Sequence, residues 1–406
     1  MMATEKIKYI NDRPELGIQY DWKQIRKNVK SLEIPTEYYS PAQAPLDGAA
    51  WFVGLSERAT GKTTGWLLLG LVMYQLYGTV TMYARSRRDM IAPKNAGSLF
   101  NIVNENHYVE KITHGKYNST FYKSRRWYLA HIDKNGVIDN IDPSYFCRMV
   151  AVQENADLKS SLNEPTGDLI IFDEFIDNSP RFRDPNEFVN FVDLVSTIFR
   201  MRICGKIAML ANTIDKYNQY FHDLEIFERL SLMDIGQREL VTTDRGTKIH
   251  IEIIGAPTAY RKKKKRWVER FAGFRKPELA AITGETLWAV HNYQHIPYVD
   301  NDDEKPETIS NRLYIQQNNK YVRLEIVDNP QLGICIYAHW ATKTYGDSII
   351  LTHEPRFDSR YITDINSKIG KFVRSMNAAG RIYFASNDVG SFLETFFTIK
   401  YNSFSL

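Results

Sequence analysis

Apolar residues in this chain come in short unbroken runs separated by polar turns. The runs alternate between the lengths of strands and those of helices. Trp51-Phe52-Val53 reads as a buried strand, and the longer run from Trp66 to Met73 reads as a buried helix. Gly78 to Ala84 reads as a second strand, ending in Arg85-Ser86-Arg87-Arg88. Residues 108–150 look β-rich, and Asn135-Gly136 between apolar alternations marks a hairpin turn. A polar loop, 153–166, leads into Leu169-Ile170-Ile171-Phe172, a run as uniform as that of a parallel strand covered on both faces. A helix is expected from Glu187 to Arg202, and a further strand from Lys206 to Thr213. This alternation predicts a parallel α/β sheet over residues 49–216.

The texture changes near residue 217. A mixed connector or lid, 217–310, carries six consecutive cations, Arg261 to Arg266, and an acidic loop at 300–304. Residues 311–406 are expected to form an α+β domain. Its strands at 321–327, 333–338 and 348–352 read as a three-strand meander, followed by helices near 365–378 and 389–398 around a short strand at 381–385. Segment 1–48 is polar, with Tyr20, Trp22, Tyr38 and Tyr39 among prolines, and should pack over one edge of the sheet or on a neighbouring subunit.

Composition narrows the class without naming a function. The 406 residues suffice for two cores, and 43% hydrophobic with 25% charged residues is ordinary for a globular protein. Cys147, Cys204 and Cys335 lie far apart, without metal-like spacing, which suits a reducing cytosolic setting. No apolar run reaches eighteen residues, so no membrane span is expected, and the mixed, charged N-terminus is unlike a signal peptide. A net charge of +4 does not by itself imply nucleic acid. The cation run does more, because six like charges in a row persist best beside an anionic partner. Lys262, Lys263, Lys264, Lys265 and Arg266 are therefore candidate DNA contacts, with a solvated face as the alternative.

The chemistry concentrates in two stretches. Between the first strand and helix stands Ser56-Glu57-Arg58-Ala59-Thr60-Gly61-Lys62-Thr63-Thr64. Strand, tight loop, Gly-Lys-Thr and helix is the context of a phosphate-binding P-loop. Ser56, Arg58, Ala59, Thr60, Gly61, Lys62, Thr63 and Thr64 are the candidates to hold ATP through backbone N–H groups and the positive helix end. Lys62 would reach the β- and γ-phosphates, and the Thr63 hydroxyl would sit on Mg²⁺. The edge that segment 1–48 should cover is then the nucleotide edge, and Gln43 or one of the aromatics of that segment is a candidate adenine contact. The pattern departs from the usual one at Ser56, where a glycine is ordinarily found. The second stretch is the uniform strand ending in Asp173-Glu174. Ligands of open α/β sheets bind at that strand edge, so Asp173 can hold Mg²⁺ while Glu174 orients and deprotonates a water. Asn212, at the end of the next strand, stands where a γ-phosphate sensor belongs. Together these residues imply an ATPase. A solvated lysine at a helix start and two exposed acids are the bland alternative.

These stretches resemble a family, the phi-29-like bacteriophage DNA-packaging ATPases, distant relatives of large terminase motors. The likeness rests on the P-loop with Arg58, Tyr83 to Arg88, Ile171-Phe172-Asp173-Glu174-Phe175-Ile176, Phe199-Arg200-Met201-Arg202 and Leu210-Ala211-Asn212-Thr213. It covers about 50–215 well and returns faintly from about 320. Serine at position 56 is similar to terminase practice. The resemblance implies a RecA-like motor domain of the additional-strand, catalytic-glutamate (ASCE) type, a small connector and a vestigial RNase H-like domain. It implies a homo-oligomeric ring, pentameric in that family, at the portal of a procapsid in the host cytoplasm. There the ring would drive double-stranded DNA inward, in some members with a packaging RNA. Arg200 would be an arginine finger given in trans, and Arg85, Arg88 and Lys159 would lie at the subunit interface. Glu325 and Asp328 have no grouped acidic partners, so nuclease activity is not expected. A helicase- or recombination-type ATPase and a non-hydrolysing nucleotide-binding module are the competing readings.

Overall fold

The computed structural model describes the chain except for residues 1–6, 37, 42–47, 58–59, 155–161, 163, 177–185, 213–218, 257, 273–292, 300–304, 318–319, 354–357, 364–366 and 399–406. Nine strands form the first sheet: β1 (Trp51–Ser56), β2 (Thr81–Arg85), β3 (Ser119–Lys123), β4 (Arg126–Ile132), β5 (Ile138–Ala151), β6 (Leu169–Asp173), β7 (Lys206–Asn212), β8 (Arg238–Thr242) and β9 (Lys248–Ile254). Their spatial order is β3-β4-β5-β2-β6-β7-β1-β9-β8. The six strands from β5 to β9 in that order run parallel, while β3, β4 and β8 add antiparallel edges.

Each central strand contributes to two cores, because successive side chains point to opposite faces. In β6, Leu169 and Ile171 join the core beneath α2 (Lys62–Tyr77), and Ile170 and Phe172 join the opposite one. The first core also takes Ile25 and Val29 of α1 (Trp22–Lys30), which begins at Asp21, whose carboxylate accepts from the Gln24 N–H at 2.9 Å. Three short helices, α3 (Pro93–Ala96), α4 (Asn101–Glu105) and α5 (Tyr108–Thr113), complete that face, so the β-rich stretch expected from 108 begins only at β3. The Asn135-Gly136 hairpin stands where it was expected, between β4 and β5. On the other face lie Phe191, Leu194 and Ile198 of α6 (Glu187–Phe199). That core continues through α7 (Gln219–Asp223) and α8 (Phe227–Leu232) into the second sheet.

The first sheet does not end at 216. Chain 248–254 returns as β9 and pairs in parallel with β1, from Trp51↔Ile249 to Ser56↔Ile254. Lys-Ile-His-Ile-Glu-Ile-Ile alternates, and its buried Glu252 is held locally: Arg238 reaches it at 2.8 Å, and Tyr39 donates to it at 3.3 Å. Next comes α9 (Thr258–Phe271), which carries the whole cation run.

The second sheet holds β10 (Glu307–Gln317), β11 (Lys320–Asn329), β12 (Gly333–Ala341), β13 (Ile349–Thr352), β14 (Tyr361–Ile362) and β15 (Ile382–Phe384), in the order β14-β13-β10-β11-β12-β15. Helices α10 (Lys368–Ala378) and α11 (Asn387–Thr398) pack on it through Val373, Val389, Leu393 and Phe396. The meander is β10-β11-β12, one strand earlier than the sequence suggests. β13 pairs in parallel with β10 instead of following β12. The polar start of β10, Glu307 to Arg312, hides it from a hydrophobicity reading. An antiparallel trio extended by parallel strands, with helices packed against it, is the RNase H-like arrangement expected for this end of the chain.

Candidate active site

The phosphate loop leaves the C-terminal end of β1 and enters α2 at Gly61, whose φ of +80° is left-handed. A side chain at that residue would also meet Tyr38 at 2.9 Å, so glycine is required twice over. Ser56 does not need the glycine it replaces, because its backbone stays out of the positive-φ region. Its buried hydroxyl donates to the Glu57 carbonyl at 2.7 Å and lies 2.8 Å from the Thr60 hydroxyl, closing the loop from inside. The segment before β1 braces the loop from outside: the Tyr39 N–H donates to the Thr60 carbonyl at 2.8 Å. This part of the N-terminal segment thus lies on the phosphate-loop edge, as expected, whereas Gln43 is outside the described residues.

Three strand ends meet here. Lys62, buried at the first position of α2, donates from Nζ to Asn212 Oδ1 at the end of β7, at 2.8 Å. Thr63 Oγ1 donates to Asp173 Oδ2 at the end of β6, at 3.0 Å. β7 lies between β1 and β6, so loop and acids face each other across one intervening strand, which itself delivers Asn212. Thr64 follows in the first turn of α2.

Asp173 Oδ2 also accepts from the Tyr83 hydroxyl at 2.7 Å. Burial, and then the charge of Asp173, hold the Tyr83 hydroxyl's pKa far above its usual value, so it remains a donor. Arg85, at the end of β2, reaches Glu174 Oε2 with Nη2 at 2.7 Å and the Asp173 carbonyl with Nη1 at 3.3 Å. Burial opposes its charge, but Tyr83, Asp173 and Glu174 outweigh that, and the guanidinium is held above its ordinary pKa. Glu174 itself is half-exposed and left-handed, with φ +51°, an unusual backbone for a residue with a side chain.

The other expected residues are placed as follows. Arg85, expected at a subunit interface, reaches its own chain's acids, because β2 is the direct neighbour of β6. Arg88 is exposed and pairs with Glu154 at 3.0 Å. Arg200 is exposed at the C-terminal end of α6, at the sheet edge opposite the phosphate loop. Its neighbour Arg202 is half-buried and fixed to the buried Asp168 at 2.6 Å. Lys264 does not face outward with the other cations; its ammonium pairs with the Glu57 carboxylate in the phosphate loop. Arg58, Ala59 and Lys159 lie outside the described residues. Sequence reasoning missed Tyr83 as a partner of Asp173, and Glu57 as a loop carboxylate in need of a cation. The Tyr83 contact is invisible until strand order is known, whereas an acid inside a phosphate loop was a readable signal.

The donor set suits MgATP. The loop offers a left-handed glycine, a helix N-terminus and a buried lysine, and Thr63 with Asp173 offers the hard oxygens that Mg²⁺ prefers. Fold and site together are those of the P-loop nucleotide-binding proteins of the additional-strand type. Among solved structures, the chain is similar to the Phi-28 gp11 DNA packaging motor, at 15% identity and a TM-score of 0.53, over 90% of this chain and 98% of that one. It is similar also to a chain of the bacteriophage Phi-29 viral genome packaging motor assembly, at 18% identity and a TM-score of 0.53, over 90% and 100%. At these identities the likeness is one of fold, and it spans both sheets. No family model and no curated protein sequence matches the chain.

Proposed function

We propose that this chain is an ATP-driven translocase that moves double-stranded DNA into a viral procapsid, acting as a homo-oligomeric ring at the portal. The observation that carries the reading is the convergence of Lys62 on Asn212 and of Thr63 on Asp173 at one sheet edge. The likeness of fold to viral packaging motors over nearly the whole chain supports it. Lys62 and the loop N–H groups bind the phosphates. Thr63 and Asp173 hold Mg²⁺, which when bound neutralises phosphate charge. Glu174, half-exposed beside them, accepts the proton of the attacking water, and Arg85 fixes its carboxylate. Asn212, already bonded to Lys62, senses the γ-phosphate. Arg200 acts on the neighbouring subunit's nucleotide, a role supported by its exposure and its distance from its own loop. A portal and a packaging RNA are partners by resemblance alone.

The test is Glu174→Gln. Losing the base should lower ATP turnover by about 10²–10⁴-fold while nucleotide affinity changes little, since only a transition-state contribution is removed. Wild-type turnover should rise when proheads and duplex DNA are supplied together. A Glu174→Gln chain that turns over ATP at the wild-type rate would remove Glu174 as base, and turnover indifferent to proheads and DNA would remove the packaging role.

A further inference from the structure

The cation run is not uniformly outward. In α9, Tyr260, Lys264 and Val268 are half-buried at positions i, i+4 and i+8, so they share one helix face. Lys264 leaves that face to pair with Glu57, and both side chains are only 12% exposed. Tyr260, one turn earlier, feels the same carboxylate: burial, and then Glu57, raise its hydroxyl's pKa. The inner face of α9 is therefore seated on the phosphate loop. Arg261, Lys262, Lys263, Lys265 and Arg266 are all exposed, and none has an anionic partner among the described residues. Arg261 with Lys265, and Lys262 with Arg266, stack one turn apart, about 6 Å along the axis, close to two phosphate steps of one DNA strand.

From this we infer that α9 is a nucleic-acid backbone site wired to the nucleotide site through the Lys264–Glu57 ion pair. This rests on the ATPase reading above and deepens it. Two charge conflicts give the coupling its sign. A carboxylate at position 57 repels a nucleotide's phosphates unless a cation neutralises it, so nucleotide binding favours α9 seated. The outer cations repel one another at i,i+4 and i,i+3 spacings, which weakens the helix until a polyanion lies along it. Duplex DNA on the outer face therefore stabilises the seated helix, keeps Lys264 on Glu57 and tightens nucleotide binding. By linkage, nucleotide tightens DNA binding by the same factor. Contacts of this kind read phosphates and not bases, as a protein moving along any sequence requires.

The experiment uses the full chain, ADP, and a short mixed-sequence fluorescent duplex, with each affinity measured in the absence and presence of the other ligand. In wild type, each should strengthen the other by one common factor of about 5-fold or more. Lys262→Gln with Lys265→Gln should lower the slope of log DNA affinity against log salt by about 0.9 for each phosphate left without its cation. Lys264→Gln should weaken ADP binding and bring the common factor to about 1. Adding Glu57→Gln to it should restore ADP binding without restoring the coupling, because no carboxylate is left to neutralise. A lysine that merely stabilised the fold would not be rescued in this way. Wild-type affinities that are independent, coupling that survives Lys264→Gln, or an unchanged salt slope in the outer-face variant would each overturn the inference. If that wild type still hydrolyses ATP, the ATPase reading stands; a wild type that binds neither ligand would overturn both.

Discussion

Arg85 shows how one side chain's role depends on strand order. Its guanidinium serves two acids at once, Glu174 through Nη2 at 2.7 Å and Asp173 through Nη1, which lies 3.5 Å from its carboxylate and donates to its backbone carbonyl at 3.3 Å. From the sequence it is one of several arginines after a strand, and nothing near it in the chain says which carboxylate it meets. The pairing of β2 with β6, Tyr83↔Ile171 and Ala84↔Phe172, decides that. Lysine keeps the charge but lacks the planar fork. Arg85→Lys should therefore lower kcat by up to about 10²-fold through a misplaced Glu174, with KM little changed, and steady-state ATPase assays would show it. An unaltered kcat would mean that Arg85 only shields charge. By contrast Asp173, Glu174 and Asn212 were legible as the polar ends of apolar strands, and Lys62 and Thr63 as the Gly-Lys-Thr that opens an apolar helix.

Among the elements, those with uniform apolar runs were legible and those with mixed surfaces were not. β1, β6, β7 and α2 carry their burial openly, and at Gly70 the packing of α2 is so close that an added Cβ would lie 2.2 Å from Thr81 Oγ1. β8, β9 and β10 alternate polar with apolar residues or begin polar, so the connector looked larger and the second sheet smaller than they are. The short helices α7 and α8, which join the sheets, carry a titratable group of their own. His222 stacks on Phe227 at 4.3 Å, and the Lys320 ammonium lies 4.4 Å from the same ring. Burial, and then Lys320, pull the imidazole from 6.5 down to about 4. The unfolded chain takes up this proton near 6.5 and the folded chain only near 4. Stability is thus whole above about 6.5 and falls as the pH drops toward 4, by at most on the order of 3 kcal/mol. Urea unfolding across that range should show the decline, and His222→Gln should flatten it; an equal decline in the variant would assign it to other groups.

At the scale of the whole molecule, the two ends of the parallel strands are chemically distinct. The C-terminal ends hold the phosphate loop and the acids, whereas Arg200 stands at the opposite edge, a strand length or on the order of 15–20 Å away. An arginine so placed cannot serve its own nucleotide and is available to another copy's. Mixing Arg200→Ala chains with Glu174→Gln chains should then restore turnover, because some interfaces pair an intact finger with an intact site. A trans-acting finger is worth about 10³–10⁵ in rate, so even partial recovery would be measurable. No recovery at any ratio, in rings shown to be mixed, would rule the finger out.

The position of β1 has a consequence for how the chain is made. Its two neighbours are β7, which begins at Lys206, and β9, which begins at Lys248. Ser56 leaves the ribosome about 150 residues before the first of them does. At roughly 5–20 residues per second, Phe52, Val53 and Leu55 wait on the order of 10–30 s with no strand to pair with. Through that interval the segment that will hold the phosphate loop is an unpaired apolar strand on a nascent chain. A chain cut short before Lys206 would keep it so indefinitely, and should partition to the insoluble fraction.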